Sequence, residues 1–202
     1  MAIGNKENKG NHILILNGHP AGSSLSKGIA DRYEQKAQNA GYHVARFNLA
    51  DMQFNSDFGQ ATYKNAPKLE ADLQAFWDAL EKCDHFVLTH PLWWGGMPAK
   101  LKGLFDRILL PGRAFAQQKG APLPKKLLTN KTAHVFITSD TPNWYFKLFL
   151  GAAIAKQIKK QILGYVGFSP VQVTNFATTK ASTAQVREKW LTKVGKFAQT
   201  AR

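Results

Sequence analysis

A chain of 202 residues, 44% hydrophobic and 20% charged, is long enough for one closed core and has the balance of a globular protein. No apolar run is long enough to span a bilayer, and one cysteine, Cys83, excludes an intrachain disulfide and a cysteine metal cluster. The formal net charge of +14 draws anionic ligands, with nucleic acid, acidic membrane and phosphorylated cofactors all eligible.

Residues 1–11 are polar and lack the apolar stretch of a secretion signal, so they are expected to be a disordered leader. With the lone cysteine this agrees with a cytoplasmic location. One domain is expected over residues 12–202.

The run Ile13-Leu14-Ile15-Leu16 ends in Asn17-Gly18, and its continuous apolarity predicts a strand buried on both faces. Ser24 to Asn39 predicts a helix with Ile29, Tyr33 and Ala37 on one face and Gly41 as its stop. His43 to Leu49 alternates, as suits a sheet edge. Leu69, Leu73, Phe76, Trp77 and Leu80 recur at helical spacing. Phe86-Val87-Leu88 is a second buried strand. Leu101, Leu104, Phe105 and Ile108 mark a helix with Pro98 in its first turn.

Pro111 to Lys131 is a long Gly/Pro/Lys-rich connection, expected to be a functional loop or an interface element. Val135-Phe136-Ile137 is a third buried strand. Leu148 to Leu163 predicts a helix stopped by Gly164. Val171 to Thr174 alternates, and Val186, Trp190, Val194 and Phe197 mark the last helix. Alternating strands and helices imply a doubly wound α/β sheet of five parallel strands. Order 2-1-3-4-5 puts the two mixed strands at the edges.

In that order the ligand crevice lies beyond the C-terminal ends of strands one and three. Gly18-His19-Pro20-Ala21-Gly22-Ser23-Ser24-Leu25-Ser26 follows the first strand. It offers hydroxyls, an imidazole and the free amides of a helix start, a workable phosphate site. An ordinary serine N-cap accounts for the same residues. Pro91-Leu92-Trp93-Trp94-Gly95-Gly96-Met97 follows the third strand. There the two indoles would flank a planar ring while the glycine amides bond its edge; core packing or a dimer contact is the plainer account. Thr138-Ser139-Asp140-Thr141-Pro142-Asn143-Trp144-Tyr145 would reach the same rim, or serve as turn and cap chemistry.

G-x-G-x-x-G, the phosphate-loop motif and G-x-S-x-G are all absent, and His19, His85, His90 and His134 show no zinc spacing. No metal site is expected. Lys156, Lys159 and Lys160 share a helical face that reads as solvated, with a cofactor phosphate or nucleic acid as the alternatives. Cys83, just before a strand, reads as a buried, inert thiol.

His19-Pro20-Ala21-Gly22-Ser23-Ser24-Leu25-Ser26, Pro91-Leu92-Trp93-Trp94 and Met97-Pro98-Ala99-x-Leu101-Lys102-Gly103-x-x-Asp106-Arg107 together resemble the flavodoxin-like NAD(P)H:quinone oxidoreductases. That family includes DT-diaphorase, azoreductases and the ancillary oxidoreductase of potassium-efflux systems. The resemblance runs from His12 onward. It implies a flavodoxin-like, flavin-binding domain and a homodimer with the flavin at the subunit interface. It also implies two-electron reduction of quinones by NADH or NADPH, with donor and acceptor using one face in turn. Carried over, His19, Ser24, Leu25 and Ser26 would line the flavin phosphates. Pro91, Leu92, Trp93, Trp94 and Gly95 would contact the ring, and Thr138 and Ser139 its other edge. Trp94, Tyr145 and Phe115 would wall the acceptor pocket.

FMN is expected over FAD, because the chain is short and no adenine loop is evident. Many members carry Thr-Thr-Gly-Gly where this chain has Thr138-Ser139-Asp140-Thr141, which leaves the acceptor open. A flavin-binding regulatory subunit of a membrane transporter is one alternative. A basic binder of anionic polymer is another, although no nucleic acid is expected as partner.

Overall fold

The computed structural model describes residues 12–201; the expected leader, 1–11, lies outside them. The chain runs through β1 (His12–Asn17), α1 (Leu25–Asn39), β2 (His43–Asn48), α2 (Ala71–Lys82), β3 (His85–Pro91) and α3 (Ala99–Ile108). A two-residue ribbon follows, β4 (Phe115–Ala116) with β5 (Lys125–Lys126), then β6 (Thr132–Thr138) and α4 (Asn143–Leu148). Next, α5 (Ala153–Lys156) continues through a π-wound turn (Gln157–Ile162) into α6 (Leu163–Val166), ahead of β7 (Val171–Phe176) and α7 (Ala184–Gln199).

Five strands pair in parallel in the order β2-β1-β3-β6-β7. The ribbon adds two short strands to the count, so this is the expected 2-1-3-4-5 arrangement of a flavodoxin-like doubly wound α/β fold. β3 is buried along its whole length, whereas β2 and β7 keep mixed faces because each lacks a neighbour on one side. Alternation along β1 splits its side chains between two layers. Ile13 and Ile15 join Ile29, Tyr33 and Val194 under α1 and α7. Leu14 and Leu16 join Phe76, Leu104 and Ile158 under α2, α3 and the π-wound turn. Burial of one such side chain contributes about 2 kcal/mol.

Residues 49–70, between β2 and α2, cross the outer side of α3 and are clamped there. Arg107 on α3 is only 1% exposed. Its guanidinium donates to the Asn55 and Lys68 carbonyls and to both Glu70 oxygens, at 3.0 and 2.8 Å. Partial desolvation raises the Glu70 carboxyl pKa, but hydrogen bonds from Arg107 and the Asn55 amide outweigh it and leave the group below its ordinary value.

The helix predicted over 148–163 is displaced. α4 ends at Leu148, and the chain turns through Gly151 (φ 57) and Ala152 (φ 49) before helical winding resumes at Ala153. Gly164 lies inside that winding. The π-wound turn pushes the Lys159 carbonyl to where a side chain at 164 would begin, so Gly164 is needed for close approach. The stop is Gly167, with φ 132. Pro111 to Lys131 folds in part as the β4–β5 ribbon.

Candidate functional site

The loop after β1 turns on its own polar groups. Asn17 Oδ1 accepts the His19 amide at 3.3 Å, and the Gly18 amide donates to the Thr89 carbonyl at 2.7 Å. His19 Nδ1 accepts the Ala21 amide at 3.0 Å. Partial desolvation lowers the His19 pKa, and the Nδ1 that accepts the Ala21 amide is unprotonated, so the neutral ring carries its proton on Nε2. Nε2 is therefore left as the ring's donor. Ser24 caps α1, its Oγ accepting the Lys27 amide at 3.1 Å. The amides of Leu25 and Ser26, in the first turn, have no intrahelical acceptor, and the helix end adds partial positive charge. The N-cap and phosphate readings are therefore compatible: the cap occupies one lone pair and leaves the donors.

The loop after β3 is a tight reversal. Trp93 and Gly96 exchange both backbone hydrogen bonds at 2.9 Å, with Trp94 (φ 49) and Gly95 (φ 77) at the tip. Both tip residues need the left-handed region, which Gly95 adopts freely and Trp94 only at a cost of about 1 kcal/mol. Trp93 is 45% exposed and Trp94 is wholly exposed at 105% of its reference area. Core packing thus does not account for Trp94. Beneath the turn, fully buried His90 donates from Nδ1 to the Pro91 carbonyl at 2.8 Å, and desolvation drives its pKa down to about 4. The neutral imidazole orients the carbonyl that opens the loop.

After β6, Thr138 and Ser139 are buried and already engaged. Ser139 Oγ donates to the Asn175 side chain at 3.1 Å and its amide to the Phe176 carbonyl at 3.0 Å. Asp140 turns away from the cleft. Its Oδ1 accepts the Lys180 amide at 2.6 Å and the Thr179 hydroxyl at 2.8 Å, and these bonds hold its pKa below the usual carboxylate value. The ionised Asp140 carboxylate is thus held by the loop after β7.

Three links draw these loops together. Ser26 Oγ lies 3.2 Å from Thr138 Oγ1, the Leu92 amide donates to the Thr138 carbonyl at 2.8 Å, and the His19 and Trp93 rings meet edge-on at 5.6 Å between centroids. Hydroxyl-rich and indole-bearing loops therefore lie side by side at the C-terminal edge of the sheet. Tyr145 stands on α4 just beyond it, stacked on Phe149 at 5.0 Å. Phe115 stands elsewhere in the single chain. β4 directs it against Tyr165, into a cavity of about 470 Å³ between α3, α6 and residues Phe58 and Tyr63 of the clamped connection. None of the three loops lines that cavity. Cys83 is buried and desolvation pushes its thiol up to about 12, as befits an inert side chain.

Asn17 and His90 were missed as site residues. Their signal was visible: polar side chains at the C-terminal ends of otherwise apolar strands.

The chain matches the profile of the flavodoxin-like fold family over residues 11–197. It is 37% identical to an uncharacterized NAD(P)H oxidoreductase of Haemophilus influenzae over 131 residues, 63% of each chain. It is 30% identical to an FMN-dependent NADH:quinone oxidoreductase of Lachnoclostridium phytofermentans over 122 residues, 60% of this chain and 56% of that protein. Both matches span less than two thirds of the relative. The solved NAD(P)H:quinone oxidoreductase of Methanothermobacter marburgensis superposes with a TM-score of 0.75 at 23% identity, covering 94% of this chain and 98% of that one.

Proposed function

The chain belongs to the flavodoxin-like fold family, and from that premise we propose that it is an FMN-dependent NAD(P)H oxidoreductase with a quinone-type acceptor. One observation supports the proposal: the His19–Trp93 contact, which brings the loop of anion donors and the loop of exposed indoles side by side at the sheet's switch point. The residues fit the group. First-turn amides of Leu25 and Ser26 with His19 Nε2 suit a phosphate, and the Trp93–Gly96 turn suits a planar ring.

Bound FMN would supply a two-electron relay between donor and acceptor. In the net reaction NAD(P)H gives up a hydride and becomes NAD(P)⁺. The quinone takes that hydride and a solvent proton and becomes the hydroquinone. The protein's part is to bind, orient and exclude water. Ser24, Leu25, Ser26 and His19 hold the phosphate. Pro91, Leu92, Trp93, Trp94 and Gly95 set the ring's position, with Thr138 and Ser139 behind its other edge. Residues 12–202 act as one flavin-binding domain, and nicotinamide and acceptor use one face in turn. The exposed Trp94 supports a homodimer in which a second copy covers the turn.

Denatured protein should release FMN, identified by mass, and native protein should oxidise NADH or NADPH only when a quinone is supplied. Protein that stays colourless after incubation with FMN overturns the reading.

A further inference from the structure

The stretch from Trp144 to Leu150, on and just after α4, leaves five large apolar side chains in solvent: Trp144, Tyr145, Leu148, Phe149 and Leu150. Trp144 is 60%, Leu148 76% and Phe149 68% exposed. Of its apolar residues only Phe146 turns into the core. The stretch is nonetheless well held. Its Trp144, Tyr145 and Phe149 rings pack on one another with centroids 5.0 to 5.9 Å apart. The Ala152 amide donates to the Phe146 carbonyl at 2.8 Å, and the Asn175 side chain donates to Asn143 at 2.9 Å. Single exposed apolar side chains are ordinary on a protein surface, whereas a cluster of this kind marks a contact surface.

The charge around it has one sign. Residues 141–163 contain four lysines, Lys147, Lys156, Lys159 and Lys160, and no aspartate or glutamate. All four are exposed. Lys147 lies within the apolar run itself, and the other three stand on the winding that buries Ile154 and Ile158. Among the described residues no helix is long and apolar enough to cross a membrane.

We propose that this stretch docks the protein peripherally on an anionic lipid surface, with Trp144, Leu148 and Phe149 at the boundary between headgroups and acyl chains and the lysines on the lipid phosphates. Interfacial segments combine these two chemistries: aromatic and aliphatic side chains settle at the boundary, and lysines are drawn to negative headgroups. A second copy fits less well, because a two-fold contact through this stretch sets lysines against lysines with no carboxylate from either stretch. Nucleic acid also fits less well, because Leu148 and Leu150 offer nothing to a stacked base or a phosphate. The inference stands apart from the oxidoreductase reading, since vesicle binding requires no flavin.

Vesicle flotation with the full chain tests it. The protein should float with vesicles of phosphatidylglycerol and phosphatidylcholine in equal parts, not with phosphatidylcholine alone, and raised salt should weaken the binding. Leu148→Ser with Phe149→Ser should raise the Kd by about tenfold or more, as lost apolar insertion requires. Both sites are exposed, so the urea midpoint should stay at the parent value. Lys147→Gln should raise the Kd about fivefold at low salt, whereas Lys189→Gln on α7, the same change of charge, should leave it alone. No flotation with the anionic vesicles, equal flotation with neutral ones, or full binding by the Leu148→Ser, Phe149→Ser variant each overturns the proposal. Equal losses from Lys147→Gln and Lys189→Gln also overturn it, since they would reduce the effect to net charge. A single-stranded oligonucleotide that binds the parent but not the Leu148→Ser, Phe149→Ser variant, with no vesicle binding, assigns the face to nucleic acid instead.

Discussion

Ser26 Oγ and Thr138 Oγ1 lie 3.2 Å apart in a buried hydrogen bond that ties the first turn of α1 to the last residue of β6. Residues 112 positions apart in sequence thereby hold the anion loop and the far edge of the crevice in register. Ser26→Ala leaves the Thr138 hydroxyl buried without this partner. The expected cost is about 1–2 kcal/mol in urea unfolding. FMN affinity, followed by quenching of flavin fluorescence, should fall about tenfold. Unchanged affinity would show that the link serves stability alone.

Trp94 separates fold from function most sharply. Its side chain is wholly exposed and its backbone is left-handed. Trp94→Gly relieves that strain while adding backbone entropy to the unfolded chain, so flavin-free stability should stay within about 1 kcal/mol of the parent. Flavin retention during gel filtration should nonetheless drop, or the acceptor KM rise, and Trp94→Ala should do the same. Retention and kinetics both at the parent level would remove Trp94 from the site.

Three buried histidines set the acid limit of the fold. Desolvation pushes His85 and His90 down to about 4 and His134 to about 3, from an ordinary 6.5. The native rings stay neutral where the unfolded chain takes up protons. Stability is therefore complete above about pH 6.5 and declines as pH falls toward 4, by about 1–2 kcal/mol per histidine at pH 5. Urea midpoints measured from pH 8 to pH 4.5 should show this slope, and His134→Asn should flatten it. A midpoint independent of pH in that window would contradict the burial of these rings.

Removal of Arg107 should release the connection over residues 49–70. The side chain satisfies two backbone carbonyls and the Glu70 carboxylate from a buried position. Arg107→Met should cost about 3 kcal/mol, since it leaves those acceptors without their donor. Limited proteolysis should then cut first within 53–68. A cut site elsewhere would deny the clamp its role.

Strand order and helix faces were legible because burial repeats with the period of each element. The continuous run at Ile13 to Leu16 could only be a doubly covered strand, and the stripe from Leu73 to Leu80 only a helix face. The meeting place of the loops was legible too, since a parallel sheet gathers the loops after its strands along one edge. The helical stretch after Leu148 departs from the periodicity because nothing local announces a π-wound turn. Its glycine at 164 answers a carbonyl five residues back, where a stop had been expected. Phe115 packs on Tyr165 away from Trp94, because the direction of β4 is a tertiary fact.

By itself the sequence determined the doubly wound architecture, one loop rich in hydroxyls and one rich in indoles, and the surplus of positive charge, because periodicity and composition are local properties. Only the tertiary structure decided which side chains meet: His19 with Trp93, Ser26 with Thr138, Arg107 with Glu70, and Asp140 with the loop after β7. Such meetings depend on how crossovers bring distant segments to one edge of the sheet, and no window of sequence contains both partners.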